Sequence, residues 1–131
     1  MPNFANTSRD RLALCHPDLK KLFNEVIKYR DCTVLCGHRG KVAQEAAKNA
    51  GTSKAGWGES KHNFLPALAV DVMPWPLKWD DKKGLHEFAA FVKATAFELN
   101  LGIRWGGDFK NFFDGPHYEL TAPHPESKLP E

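Results

Sequence analysis

Cysteine is scarce in this chain of 131 residues: Cys15, Cys32 and Cys36 are the only three. An odd number cannot close a full set of internal disulfides, so a disulfide scaffold is a poor reading and reduced thiols are expected. Long apolar runs are also missing. No stretch reaches the 18 or more residues that a membrane span requires, and the opening "MPNFANTSRDRLALCHP" has neither the basic start nor the apolar core of a secretory signal. Synthesis into a cytosol without membrane insertion is the expectation. Charge of one sign is absent too: the formal net charge is +2, too small to mark a nucleic-acid partner. No GxGxxG loop, internal repeat or linker composition is found, which argues against a dinucleotide site and against a second domain.

The apolar residues that are present fall into clear patterns. Leu19, Leu22, Phe23, Val26 and Ile27 share the spacing of one helix face, with Pro17 suited to the first turn. "CTVLC" predicts a short strand, "GKVAQEAAKNAG" a helix stopped by Gly51, and "GTSKAGWGESKHN" a long exposed loop. "ALAVDVM" predicts a strand ended by Pro74. Leu85, Phe88, Val92, Ala96 and Leu99 place an amphipathic helix from about Lys82 to Asn100. "GIRWGG" and "HYEL" predict two more strands, and residues before the first helix read as a polar start. The chain thus divides into a folded body over 1–121 and a polar, proline-rich surface arm over 122–131.

Asp71 stands in the middle of an apolar strand, where a lone carboxylate is costly unless it is paired, hydrogen-bonded or bound to a metal. His62, at the end of the preceding loop, and His117, at the start of the last strand, can converge on it, because neighbouring strands bring side chains within about 5 Å. Three such ligands with a fourth position left to water are the requirement of a catalytic zinc site. The alternative is that Asp71 accepts hydrogen bonds from local backbone or an arginine. Asp114 in "FFDGPHYEL" is placed to act as a base on a water, or to cap a turn; Glu119, of the same strand parity as His117, is a competing base or a partner of that histidine. Arg39 in "CGHRG" could stabilise an oxyanion or hold a substrate carboxylate, with Gln44 in support.

Other patterns are weaker. "HEFAA" begins like a zincin motif but has Ala90 in place of the second histidine. Cys32, Cys36 and His38 share strand parity and could hold a structural metal, although buried cysteines are explained more simply as core. Trp75 and Trp79 in "MPWPLKWDD" either line a groove for an extended peptide or sugar-peptide or cover the end of the core.

"SKHNFLPALAVDV" followed by "WGGDFKNFFDGPHYEL" resembles the small zinc peptidases of the D-alanyl-D-alanine carboxypeptidase and L-alanyl-D-glutamate endopeptidase group, in particular bacteriophage peptidase endolysins. "HPDLKKLFNEVI" and "TVLCGHRGKVAQEAA" are similar to the opening helix and the arginine-glutamine segment of that group. The resemblance implies a small α+β, Hedgehog/DD-peptidase-like fold with a twisted antiparallel sheet packed against helices. It implies one Zn2+ ion held by His62, Asp71 and His117, Asp114 as general base and acid, and Arg39 steadying the scissile carbonyl. Gln44 and Ser60 would match supporting positions. The turn from His62 to Asp71 is two residues longer than in many relatives, with Leu65-Pro66 at that place.

The implied substrate is the peptide stem of bacterial peptidoglycan, cut between L-alanine and D-glutamate by a monomer stored in the host cytoplasm until a holin releases it. A D-alanyl-D-alanine dipeptidase or carboxypeptidase, and a catalytically silent zinc-containing wall-binding domain, are the rival readings.

Overall fold

A computed structural model describes residues 2–130. Four strands, β1 (Cys32–Cys36), β2 (Ala69–Pro74), β3 (Ile103–Trp105) and β4 (His117–Leu120), form one antiparallel sheet in the order β1-β2-β4-β3. Helices α1 (Asn6–Ala13), α2 (Pro17–Val26), α3 (Lys41–Asn49) and α4 (Lys82–Glu98) complete an α+β fold, with 3-10 turns at Lys61–Asn63 and Gly106–Asp108.

The core lies between one sheet face and the helices α2 and α4. Leu19, Leu22, Phe23 and Val26 of α2 meet Leu85, Phe88, Val92 and Ala96 of α4, and Val34, Val70, Val72, Tyr118 and Leu120 face them from the sheet. Tyr118 stands edge-on to Phe23 at 5.4 Å and to Phe88 at 6.4 Å. Strand alternation then fixes what the opposite face carries. With Val70 and Tyr118 paired and turned to the core, their neighbours Asp71 and His117 are paired and turned away from it. The central strands β2 and β4 thus carry Asp71 and His117 on the face opposite α2 and α4.

Two elements differ from the expectations. The polar start contains helix α1, whose buried residues are Ser8 and Leu12. Its attachment is polar: Ser8 Oγ accepts from Val34 N at 3.0 Å and Arg11 Nη1 donates to Val34 O at 3.0 Å. These two contacts satisfy backbone groups on the outer edge of β1, which has no further strand beside it. Hydrophobic periodicity carries no trace of such a contact. The loop over 51–63 is also not simply exposed, since His62 and Asn63 are buried and the loop is bonded inward along its length.

Residues 122–131 read as a surface arm, and those described lie against the body. Leu65 and Lys128 pair through their backbones, and Ser127 Oγ donates to Pro66 O at 2.8 Å. Glu126 accepts from His16 Nε2 at 2.5 Å and from His124 Nδ1 at 3.2 Å. His16 Nδ1 accepts from Asp18 N, capping α2, so the proton of its neutral ring sits on Nε2 and is donated to Glu126. The two histidines and the glutamate therefore form a strap held by protons, although their donor atoms lie within 4.8 Å of one another.

Candidate active site

The register of the sheet builds the site. Cys36 of β1, Asp71 of β2 and His117 of β4 stand in one row across it. Cys36 reaches that row through a bulge between Val34 and Cys36; the extra residue turns a side chain that strict alternation would send to the core. The shared parity expected for Cys32, Cys36 and His38 is thereby broken. Cys32 is buried at the far end of β1 opposite Pro74, and His38 bonds to Asn63 O, so the three do not form a metal site.

His62 enters from the 3-10 turn that follows the loop. Ser60 Oγ caps this turn by accepting from His62 N at 3.2 Å, and Asn63 completes a reciprocal cap. The longer turn at Leu65-Pro66 does not keep the ligands apart. His62 Nε2 lies 3.2 Å from Asp71 Oδ1, and His117 Nδ1 lies 3.3 Å from the same oxygen. The two imidazoles meet edge to face at 5.2 Å.

The remaining ring nitrogens are already engaged. His62 Nδ1 is 2.7 Å from Gly37 O, and His117 Nε2 is 2.8 Å from Glu119 Oε1. Each acceptor calls for a proton on the outer nitrogen, so a neutral ring aims a lone pair at Asp71. Two lone pairs facing a carboxylate repel unless positive charge lies between them. Protons supply it in the metal-free chain: burial opposes charging of His62, yet the bond and charge of Asp71 raise it to about 10. Burial would likewise raise Asp71, but hydrogen bonds from His117 and His62 hold it well below the usual carboxylate range.

Two of the distances around Asp71 Oδ1 suit a shared divalent ion, and Cys36, with its Sγ 3.8 Å from His62 Nδ1, offers a further donor beside His62 and Asp71. Donor atoms about 2.0–2.1 Å from a tetrahedral ion are about 3.3–3.4 Å apart, which matches the two separations measured from Asp71 Oδ1. Two imidazoles, one carboxylate and outer-nitrogen acceptors are the donor set and support of a zinc centre. His62, Asp71 and His117 would hold the ion.

Around this centre opens a cleft of about 560 Å³. Arg39, Ser60, Asp114 and Glu119 line it with the three candidate ligands; Gln44 lies behind its wall, and Trp75 lies outside it. Trp75 sits past the far end of β2 in a separate shallow groove beside Pro76 and Lys78. Asp114 Oδ2 is 4.0 Å from His117 Nδ1. Burial and the charge of Asp71 push Asp114 above the ordinary aspartate value, while His117, His62 and Arg39 pull the other way. Gly106 makes this position possible, since a side chain there would collide with the Asp114 carbonyl. Glu119 sits behind His117 and pairs with Lys61 Nζ at 3.2 Å, the place of a partner to the histidine.

Arg39 Nη2 is 3.7 Å from Asp71 Oδ2, and its Nη1 donates to Gln44 Oε1 at 3.2 Å. Gln44 is fully buried, and its amide donates to Ser53 Oγ at 2.9 Å and Ala55 O at 2.7 Å. Asn63 was not singled out from the sequence. It too is fully buried, donating to Arg39 O and Gln44 Oε1 and accepting from Gly58 N and Ser60 N. Its place directly after His62 is the only sequence signal it gives. The aromatic wall of Phe109, Phe112 and Phe113 was likewise missed, in a segment that read only as a loop.

The family model described as phage L-alanyl-D-glutamate peptidase matches residues 2–121. The chain belongs to that family. It is 29% identical over 106 residues to the peptidoglycan L-alanyl-D-glutamate endopeptidase CwlK of Bacillus subtilis (strain 168), covering 69% of this chain and 60% of CwlK. The crystal structure of the Serratia marcescens L-Ala D-Glu endopeptidase ChiX is similar with a TM-score of 0.77 and 30% identity, over 91% of this chain and 90% of that one. The family match stops where the C-terminal strap begins.

Proposed function

We propose that this protein is a zinc-dependent peptidase that hydrolyses the L-alanyl-D-glutamate bond in the peptide stem of bacterial peptidoglycan. The observation that carries the reading is the convergence of His62 Nε2 and His117 Nδ1 on Asp71 Oδ1, with both outer nitrogens already engaged. Membership of the peptidase family and similarity to two endopeptidases of this specificity support it.

His62, Asp71 and His117 would hold a zinc ion, which would supply an electrophile for the scissile carbonyl and acidify a water molecule. The chain's own groups perform the proton transfers. Asp114, whose Oδ2 lies 4.0 Å from His117 Nδ1, takes the proton of the attacking water and returns it to the leaving amine. Its raised affinity for a proton suits both halves of that task. Arg39, held by Gln44, stabilises negative charge as it develops on the carbonyl oxygen. Glu119 keeps the imidazole of His117 in the required tautomer and orientation.

No helix among the described residues is long and apolar enough to cross a membrane. A phage lysis enzyme fits this picture: a monomer held in the host cytoplasm and released to the wall by a holin. Mass spectrometry of purified peptidoglycan after digestion tests the reaction. New N-terminal glutamate supports the reading, whereas free D-alanine would assign the protein to the carboxypeptidase branch, and wall binding without new amines would make it a silent zinc domain. Asp114→Asn should retain zinc and lose about 10²–10⁴-fold in turnover.

A further inference from the structure

The cleft is lined by three cations, Arg39, Lys54 and Lys61, and two of them are already committed. Arg39 faces Asp71 and Gln44, and Lys61 pairs with Glu119 at 3.2 Å. Lys54 has no carboxylate partner among the described residues; its ammonium stands 4.8 Å from the centroid of the Phe112 ring. Residues 51–55 and the Phe109–Phe113 segment line the cleft together, so this contact joins two segments that are far apart in sequence. A cation held over an aromatic face is positioned while its charge remains available to a third group.

The residues flanking Lys54 are tied to the buried Gln44: Ser53 and Ala55 both accept from its amide. The other end of that amide accepts from Arg39 and Asn63. One side chain therefore fixes the loop carrying Lys54 relative to the arginine beside Asp71.

We propose that Lys54 is a specificity-determining residue that binds the free α-carboxylate of the D-glutamyl residue. This rests on the peptidase reading given above. In the stem the chain continues through the side-chain carboxyl of D-glutamate, so its α-carboxyl is left free on the carbon attached to the scissile nitrogen. That is the anionic group nearest the broken bond. Of the carboxylates that line the cleft, Asp71 and Glu119 face cations of their own, whereas Asp114 and Glu59 add negative charge that an uncommitted cation would offset for a substrate anion.

The test compares two soluble stem fragments that differ only in carrying D-glutamate or D-isoglutamine after L-alanine, with kcat/KM measured for wild type, Lys54→Met and Lys54→Arg. Wild type should prefer the carboxylate fragment, Lys54→Met should reduce that preference about tenfold, and Lys54→Arg should preserve most of it. Loss of the Phe112 contact affects both fragments and cancels in the ratio. A preference unchanged in Lys54→Met, or absent from wild type, would overturn the assignment while leaving the peptidase reading intact. Failure of wild type to cleave either fragment would overturn both.

Discussion

Asp71 is tolerated in the middle of β2 because two imidazoles and a guanidinium converge on its carboxylate, at the place proposed for a zinc ion. Protons and a metal ion compete for one space. With its affinity for a proton raised to about 10, His62 is charged at neutral pH in the metal-free chain, so binding zinc must release that proton. Zinc affinity should therefore rise with pH across the neutral range, approaching tenfold per pH unit for each proton displaced. A chelator competition series between pH 6 and 8 checks this, and a flat profile would mean that the histidines are already neutral. The linkage has a matching sign for folding: the stabilisation from charged His62 is present below its unfolded value and fades as pH rises towards about 10. That from Asp71 is present above the ordinary aspartate value and is lost as pH falls through its depressed one.

Between elements, the organising contacts are polar, and this decided what could be read from the sequence. The helices α2 and α4 were legible because Leu19, Leu22, Phe23, Leu85, Phe88 and Val92 repeat at helical spacing. Asp71 and His117 were legible as candidates because each carries chemistry on an otherwise apolar strand. Helix α1 was not, because Ser8 and Arg11 hold it to β1 through hydrogen bonds rather than through an apolar stripe. Cys36 was misplaced because a bulge changes side-chain parity without leaving a mark in the residue pattern. Trp75 was read as lining a groove or covering the end of the core; past the end of β2 it lines a separate groove, carried away from the row of Asp71 and His117. The buried amides of Gln44 and Asn63 knit helix α3, the loop and the 3-10 turn into one wall. Gln44→Ala should leave Asn63, Arg39 and the loop carbonyl of Ala55 short of partners and cost about 2 kcal/mol. Urea denaturation would measure that loss, and metal analysis should still find zinc on the folded protein.

On the scale of the whole molecule, the sheet separates two tasks. One face, covered by α2 and α4, supplies the apolar core; the other presents the row of Asp71 and His117 to a cleft walled by the loop on one side and phenylalanines on the other. The C-terminal strap closes back over Leu65 and Pro66, in the connection between His62 and Asp71, and so supports the segment that lets these two side chains meet. The most direct test of the whole account is a zinc titration of chelator-stripped protein, with release of new N-terminal glutamate from purified peptidoglycan as the readout. Activity should be absent without metal and saturate at one zinc per chain. Cleavage that persists in the stripped protein, or zinc that binds without any new N-terminal glutamate, would contradict it.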